Sequence, residues 1–69
     1  MKWVLARYVK YERFYEYIKN DRLEITCMEN NALKFNSFAD AEKFKKKKMA
    51  DYDRPFYILS TPTVEVLFS

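Results

Sequence analysis

A single stretch of this chain repeats with a helical period, while every other apolar stretch alternates with a period of two. The fold therefore has room for one helix and is otherwise built of strand. Ala32-Leu33-Lys34-Phe35 reads as a short strand that passes through Asn36-Ser37 into a helix over 38–49. Ser37 is placed to accept a bond from an unpaired amide of the first turn, and Asp40 gives the S-x-x-D spacing of a capping box. At about 100° per residue, Phe38, Ala41, Phe44 and Met49 share one face, and Asp40, Lys43, Lys46 and Lys47 point away. One amphipathic helix needs one apolar surface to lie on, so the spacing predicts an α+β fold. Its sheet is mostly antiparallel, of four to six short strands, with the helix packed on one face.

The strands expected for that sheet follow in order. Lys2 to Tyr11 carries apolar side chains on both phases, Trp3, Leu5, Val9 and Tyr11 against Val4, Ala6 and Tyr8, as does a strand covered on both sides. Arg13 to Lys19 continues, with a weakly marked break near Lys10 to Glu12, and Asn20-Asp21 is a turn signal. Arg22 to Met28 alternates most cleanly, with Leu23, Ile25 and Cys27 on the side expected to be buried. Glu29-Asn30-Asn31 then predicts a hairpin turn into Ala32–Phe35, since Asn tolerates the left-handed conformation where glycine is lacking. Asp51 to Pro55 connects the helix to a strand over 56–60, in which Phe56 and Ile58 oppose Tyr57 and Leu59. Thr63 to Phe68, behind Pro62, reads as an edge strand.

Sixty-nine residues make one domain, 1–69, with a thin core. A single cysteine and no histidine remove disulfide and most metal staples, leaving an aromatic core or self-association to compensate. Six Tyr, six Phe and one Trp can each bury roughly 150–250 Å². Glycine is absent, so neither a Walker loop, nor a dinucleotide-binding turn, nor a nucleophile elbow can be written with these residues. Cys27 shares the apolar phase of its strand and is expected to be a buried structural thiol; Asp51 and Asp53 read as solvated loop residues. A non-catalytic protein without cofactor or metal is the expectation. The four-residue apolar run after Lys2 falls short of the roughly 7–15 residues of a secretory core, and nothing approaches the roughly 20 of a membrane span. With one unpaired cysteine, the expected setting is a reducing cytoplasm.

The candidate binding residues are aromatic and basic. With one sheet face against the helix, the other collects Tyr8, Tyr15, Tyr17, Tyr57, Leu59 and Leu67, and Arg7, Lys10, Arg13 and Arg22 can rim it. So much aromatic surface is suited to a partner, although tyrosines wrapped round the ends of the core would give the same pattern. The run Lys45, Lys46, Lys47 and Lys48 suits the negative end of the helix dipole as solvated charge, and it is also a candidate anion contact. A net charge of +3 is a mild bias toward anionic partners.

Strand–turn–strand, then Ala32-x-x-Phe35-x-Ser37-x-x-x-Ala41-x-x-Phe44, then Tyr57-Ile58-Leu59, resembles small phage and bacterial ββαβ accessory proteins built on A-x-x-F-x-S-x-x-x-A. The likeness covers about the latter two-thirds of the chain. It implies a fold and a phage or mobile-element setting, and it carries over no catalytic residue. Together these readings predict an interaction protein that binds and inhibits or redirects a host protein, such as a defence or nucleic-acid-processing complex, through the tyrosine face. Homo-oligomerisation through the same face is a companion expectation. The alternative is a nucleic-acid or anionic-nucleotide binding module using Tyr and Lys/Arg, in which bases stack on tyrosines.

Overall fold

Two apolar phases make the first strand, β1 (Lys2–Val9), the centre of the sheet, and its Val4, Leu5 and Ala6 are all buried. The computed structural model describes residues 1–61. A tight turn at Val9–Arg13, closed by amides of Glu12 and Arg13 donating to the Val9 carbonyl, leads into β2 (Phe14–Ile18), so the weakly marked break is a true hairpin. β3 (Ile25–Thr26) pairs with β2, and β4 (Tyr57–Thr61) pairs with the other edge of β1. Among the described residues the sheet has four antiparallel strands in the order β3-β2-β1-β4, with one α-helix, α1 (Phe38–Lys48), packed over β1 and β4. The expected α+β architecture is the observed one, and the expected strand over 63–68 lies outside the described residues.

The sheet separates two apolar layers. On the helix side Leu5, Ile18, Met49 and Phe56 are buried together, with Leu23, Phe35, Phe44, Tyr52 and Ile58 packed around them. On the other side Val4, Ala6, Tyr17 and Ala32 form a second buried cluster, joined by Leu59. The helix starts where the cap predicts, the Ser37 hydroxyl accepting from the Asp40 amide at 3.1 Å, and Ala41 is fully buried beneath it. Phe38 departs from the expected buried stripe: it is 47% exposed, edge-on to Trp3 at 5.5 Å. It belongs to the helix flank that faces β4.

Two further expectations are corrected. The clean alternation of Arg22 to Met28 yields only the two-residue β3, because Asn20 organises a turn instead. Its Oδ1 accepts from the amides of Arg22 and Glu24, its Nδ2 donates to the Glu24 carboxylate at 2.6 Å, and Leu23 sits at φ 60°. At the far end the Thr26 hydroxyl accepts from the Met28 amide and ends the strand. Cys27 is therefore exposed rather than buried, and Ile25 is exposed because the helix does not reach over β3.

The hairpin expected through Asn30-Asn31 is a 3-10 turn, Glu29–Asn31, without left-handed residues. Lys34 secures it by donating to the carbonyls of Glu29, Asn30 and Ala32. Ala32–Phe35 is accordingly no full strand. The Leu33 amide donates to the Ile18 carbonyl, and Phe35 makes a single bridge to Trp3 through two amide–carbonyl bonds of 2.8 and 2.9 Å, on the edge of β1 that β2 leaves when it ends.

Candidate functional site

The second sheet face is half covered, and the division follows from the chain path. After the 3-10 turn, Ala32 lies on Val4, Ala6 and Tyr17, while the Glu29 carboxylate accepts a hydrogen bond from the buried Thr61 hydroxyl and ties this segment to β4. Burial, with lesser contributions from the nearby Glu29 and Tyr15, raises the pKa of the Tyr17 phenol. Tyr17 is thus a core residue, 6% exposed, and it is withdrawn from the predicted contact set.

The uncovered half holds the other three. Tyr8 and Tyr15 stand opposite each other on β1 and β2, their rings edge-on at 5.1 Å, and Tyr15 stacks on Tyr17 at 6.2 Å. Pairing of β1 with β4 stops at Ala6↔Tyr57, and the chain enters β4 from Pro55 and Phe56. Tyr8, Tyr15 and Tyr57 thereby share a cleft of about 360 Å³ with Ala6, Arg7, Pro55 and Leu59. The three rings are 49%, 39% and 60% exposed. Three half-exposed phenols presented on paired strands supply stiff apolar contact with polar tips, the chemistry by which proteins anchor other proteins.

The basic rim is arranged differently from expectation. Arg7 lines the cleft, but its guanidinium is 3.9 Å from Glu16, whose other carboxylate oxygen is 3.6 Å from Arg54. It is tied to the side of the sheet that carries Glu16, because Arg7 and Glu16 face each other across the β1–β2 ladder. Arg13 lies in the hairpin turn at φ 59°, outside the cleft lining. Arg22 is paired at 3.3 Å with Glu24, where the Asn20 hydrogen bond first and Arg22 second hold the Glu24 carboxyl below its ordinary pKa. The tyrosines converge; the arginines do not surround them.

The lysine run is divided by the helix. Lys45 and Lys46 face β4, lining with Phe38, Glu42, Met49, Tyr57, Ile58 and Leu59 a groove of about 730 Å³. Lys47 and Lys48 border a separate depression with Phe35, Asp40, Lys43 and Phe44. No single anion can therefore collect all four ammonium groups. Lys46 is 3.8 Å from Glu42 one turn back, and Lys45 stands 5.7 Å from the centre of the Tyr57 ring. Tyr57 and Leu59 belong to both the cleft and the groove, so the two hollows meet at β4. Sequence reasoning missed the groove. Its signal was present in the spacing Phe38, Glu42, Lys45, Met49, a second helical stripe next to the buried one.

Among the described residues no three His, Cys, Asp or Glu side chains gather as a metal set, and no helix is long and apolar enough to cross a membrane. Comparison with protein-family models, with curated proteins and with solved structures finds no match for this chain.

Proposed function

We propose that this protein is a non-catalytic interaction module that captures a partner protein on the cleft formed by Tyr8, Tyr15 and Tyr57. The observation that carries the reading is the convergence of three half-exposed tyrosines on a part of the second sheet face that the described residues leave uncovered. The setting, a phage or mobile element acting on a host defence or nucleic-acid-processing complex, rests on the resemblance of the A-x-x-F-x-S-x-x-x-A segment alone. Inhibition or redirection of the target follows from occupancy of one of its surfaces.

The experiment is affinity capture from a host lysate with wild type beside a Tyr8→Ala/Tyr57→Ala double variant, accompanied by sedimentation of each bait. A specific protein retained by wild type and lost by the double variant, at unchanged melting temperature, supports the reading. Equal recovery by both baits removes the tyrosine cleft as the contact. A wild-type dimer that the double variant dissolves identifies the partner as a second copy of the chain.

A further inference from the structure

Beyond the tyrosine cleft, we infer that the groove between α1 and β4 binds a small amphipathic carboxylate, an anion with one charged head on an alkyl or aryl body. The groove's volume, about 730 Å³, lies within the usual range of small-ligand sites. Its apolar lining comes from Phe38 and Met49 on the helix and from Ile58 and Leu59 on the strand. Among the described residues, charge enters from the helix side only. Lys46 already has the Glu42 carboxylate at 3.8 Å, whereas Lys45 is half-buried and, among the described residues, has no carboxylate within ion-pair distance.

The Lys45 ammonium stands over the Tyr57 ring, 5.7 Å from its centre. A half-buried lysine at the side of an apolar groove suits an anion whose remaining surface is itself apolar. A nucleotide suits this lining poorly, because its base and ribose need several hydrogen-bond partners and the described side chains here offer one carboxylate, two ammonium groups and one phenol hydroxyl. A simple inorganic anion would leave the apolar surface wet. The carboxylate head is placed at Lys45, with the Tyr57 ring beside it and the body along Phe38, Met49 and Ile58.

The chain carries its own reporter. Its single tryptophan, Trp3, touches Phe38 edge-on at 5.5 Å, and Phe38 lines the groove. Titration with decanoate below its micelle concentration, followed by Trp3 emission and by calorimetry, is expected to give saturable 1:1 binding. Decyltrimethylammonium, with the same chain and the opposite charge, and ADP are expected to give none. Lys45→Met and Lys45→Gln, each checked for an unchanged circular dichroism melt, are expected to weaken decanoate binding about tenfold or more. Lys48→Met, on the other side of the helix, leaves it unchanged. Absence of decanoate binding, equal binding of the cationic chain, or equal affinity of the Lys45 and Lys48 variants overturns the proposal. Tighter binding of ADP than of decanoate does so as well, in favour of a nucleotide. Tyr8→Ala leaves the groove intact, so failure here and failure of the tyrosine cleft are read separately.

Discussion

Leu5→Ala tests whether the helix-side layer is the core that holds this fold. Leu5 is fully buried at the middle of β1, opposite Ile58 on β4, and shares its layer with Ile18, Met49 and Phe56. The substitution removes three carbon groups, about 2.4 kcal/mol of transfer free energy at ~0.8 kcal/mol each. The hole left between two paired strands and a helix cannot close freely, so the total is expected near the middle of the usual span, about 3 kcal/mol. A chain of 69 residues has roughly 3.5–10 kcal/mol in all. The variant should therefore lose about 30% or more of its stability, and melt about 12–24 °C lower at the 4–8 °C per kcal/mol typical of this size. Phe38→Ala provides the internal comparison: a larger side chain, but 47% exposed, so it should lose only about half of the ~3–5 kcal/mol of a buried phenylalanine. Paired thermal and urea melts by far-ultraviolet circular dichroism rank the two. If Phe38→Ala is the more damaging, the helix is rotated relative to the sheet and the layer is wrongly drawn.

Three other outcomes are expected. Arg13→Gly relieves a left-handed residue in an exposed turn and should stabilise the protein by about 0.5–1 kcal/mol, read as a higher urea midpoint; a loss would mean that the arginine side chain compensates its backbone. Tyr17, whose pKa is raised by burial, keeps its proton in the folded state where the unfolded chain has released it, so stability should fall as pH rises above about 10 and stay level with respect to this group below. Urea melts at about pH 9 and pH 11 should show a smaller decline for Tyr17→Phe than for wild type. The exposed Cys27 should react with a disulfide reagent in the native protein at the rate seen in denaturant, whereas a buried thiol would react only on unfolding.

The layering of this domain is legible in its sequence because it depends on periodicity. The period-two phases of β1 and β4 assign Leu5 and Ile58 to one layer and Val4 and Leu59 to the other, as found. The cap at Ser37 likewise fixes the helix start through a bond between residues three apart. Tyr8, Tyr15 and Tyr57 fall on one face for the same reason, since strand alternation and antiparallel register are enough to align them. Alternation says nothing of what else lies on that face. Tyr17 shares the phase of Tyr15 yet is buried, because Ala32 returns over it from a distant part of the chain. Arg7 is drawn to Glu16 by a cross-strand contact that only the register reveals.

Two failures of sequence reading lie at turns that a chain without glycine builds from other residues. Gly and Asn are the residues from which left-handed turns are usually inferred, yet among the described residues the two positive φ values belong to Arg13 and Leu23. Neither side chain gains from that conformation, which is less favourable by roughly 1–2 kcal/mol per residue, so each is imposed by its surroundings. At Arg13 the hairpin requires it, with two amides closing on the Val9 carbonyl. At Leu23 the requirement is joint: Asn20 holds the amides on either side of the turn, and the Leu23 side chain packs at the margin of the helix-side layer. A residue that looked like the first inward position of a strand is instead the inward position of a loop. Its apolar character is explained equally well by both, which is why alternation over Arg22 to Met28 misleads while the burial of Leu23 against the core does not.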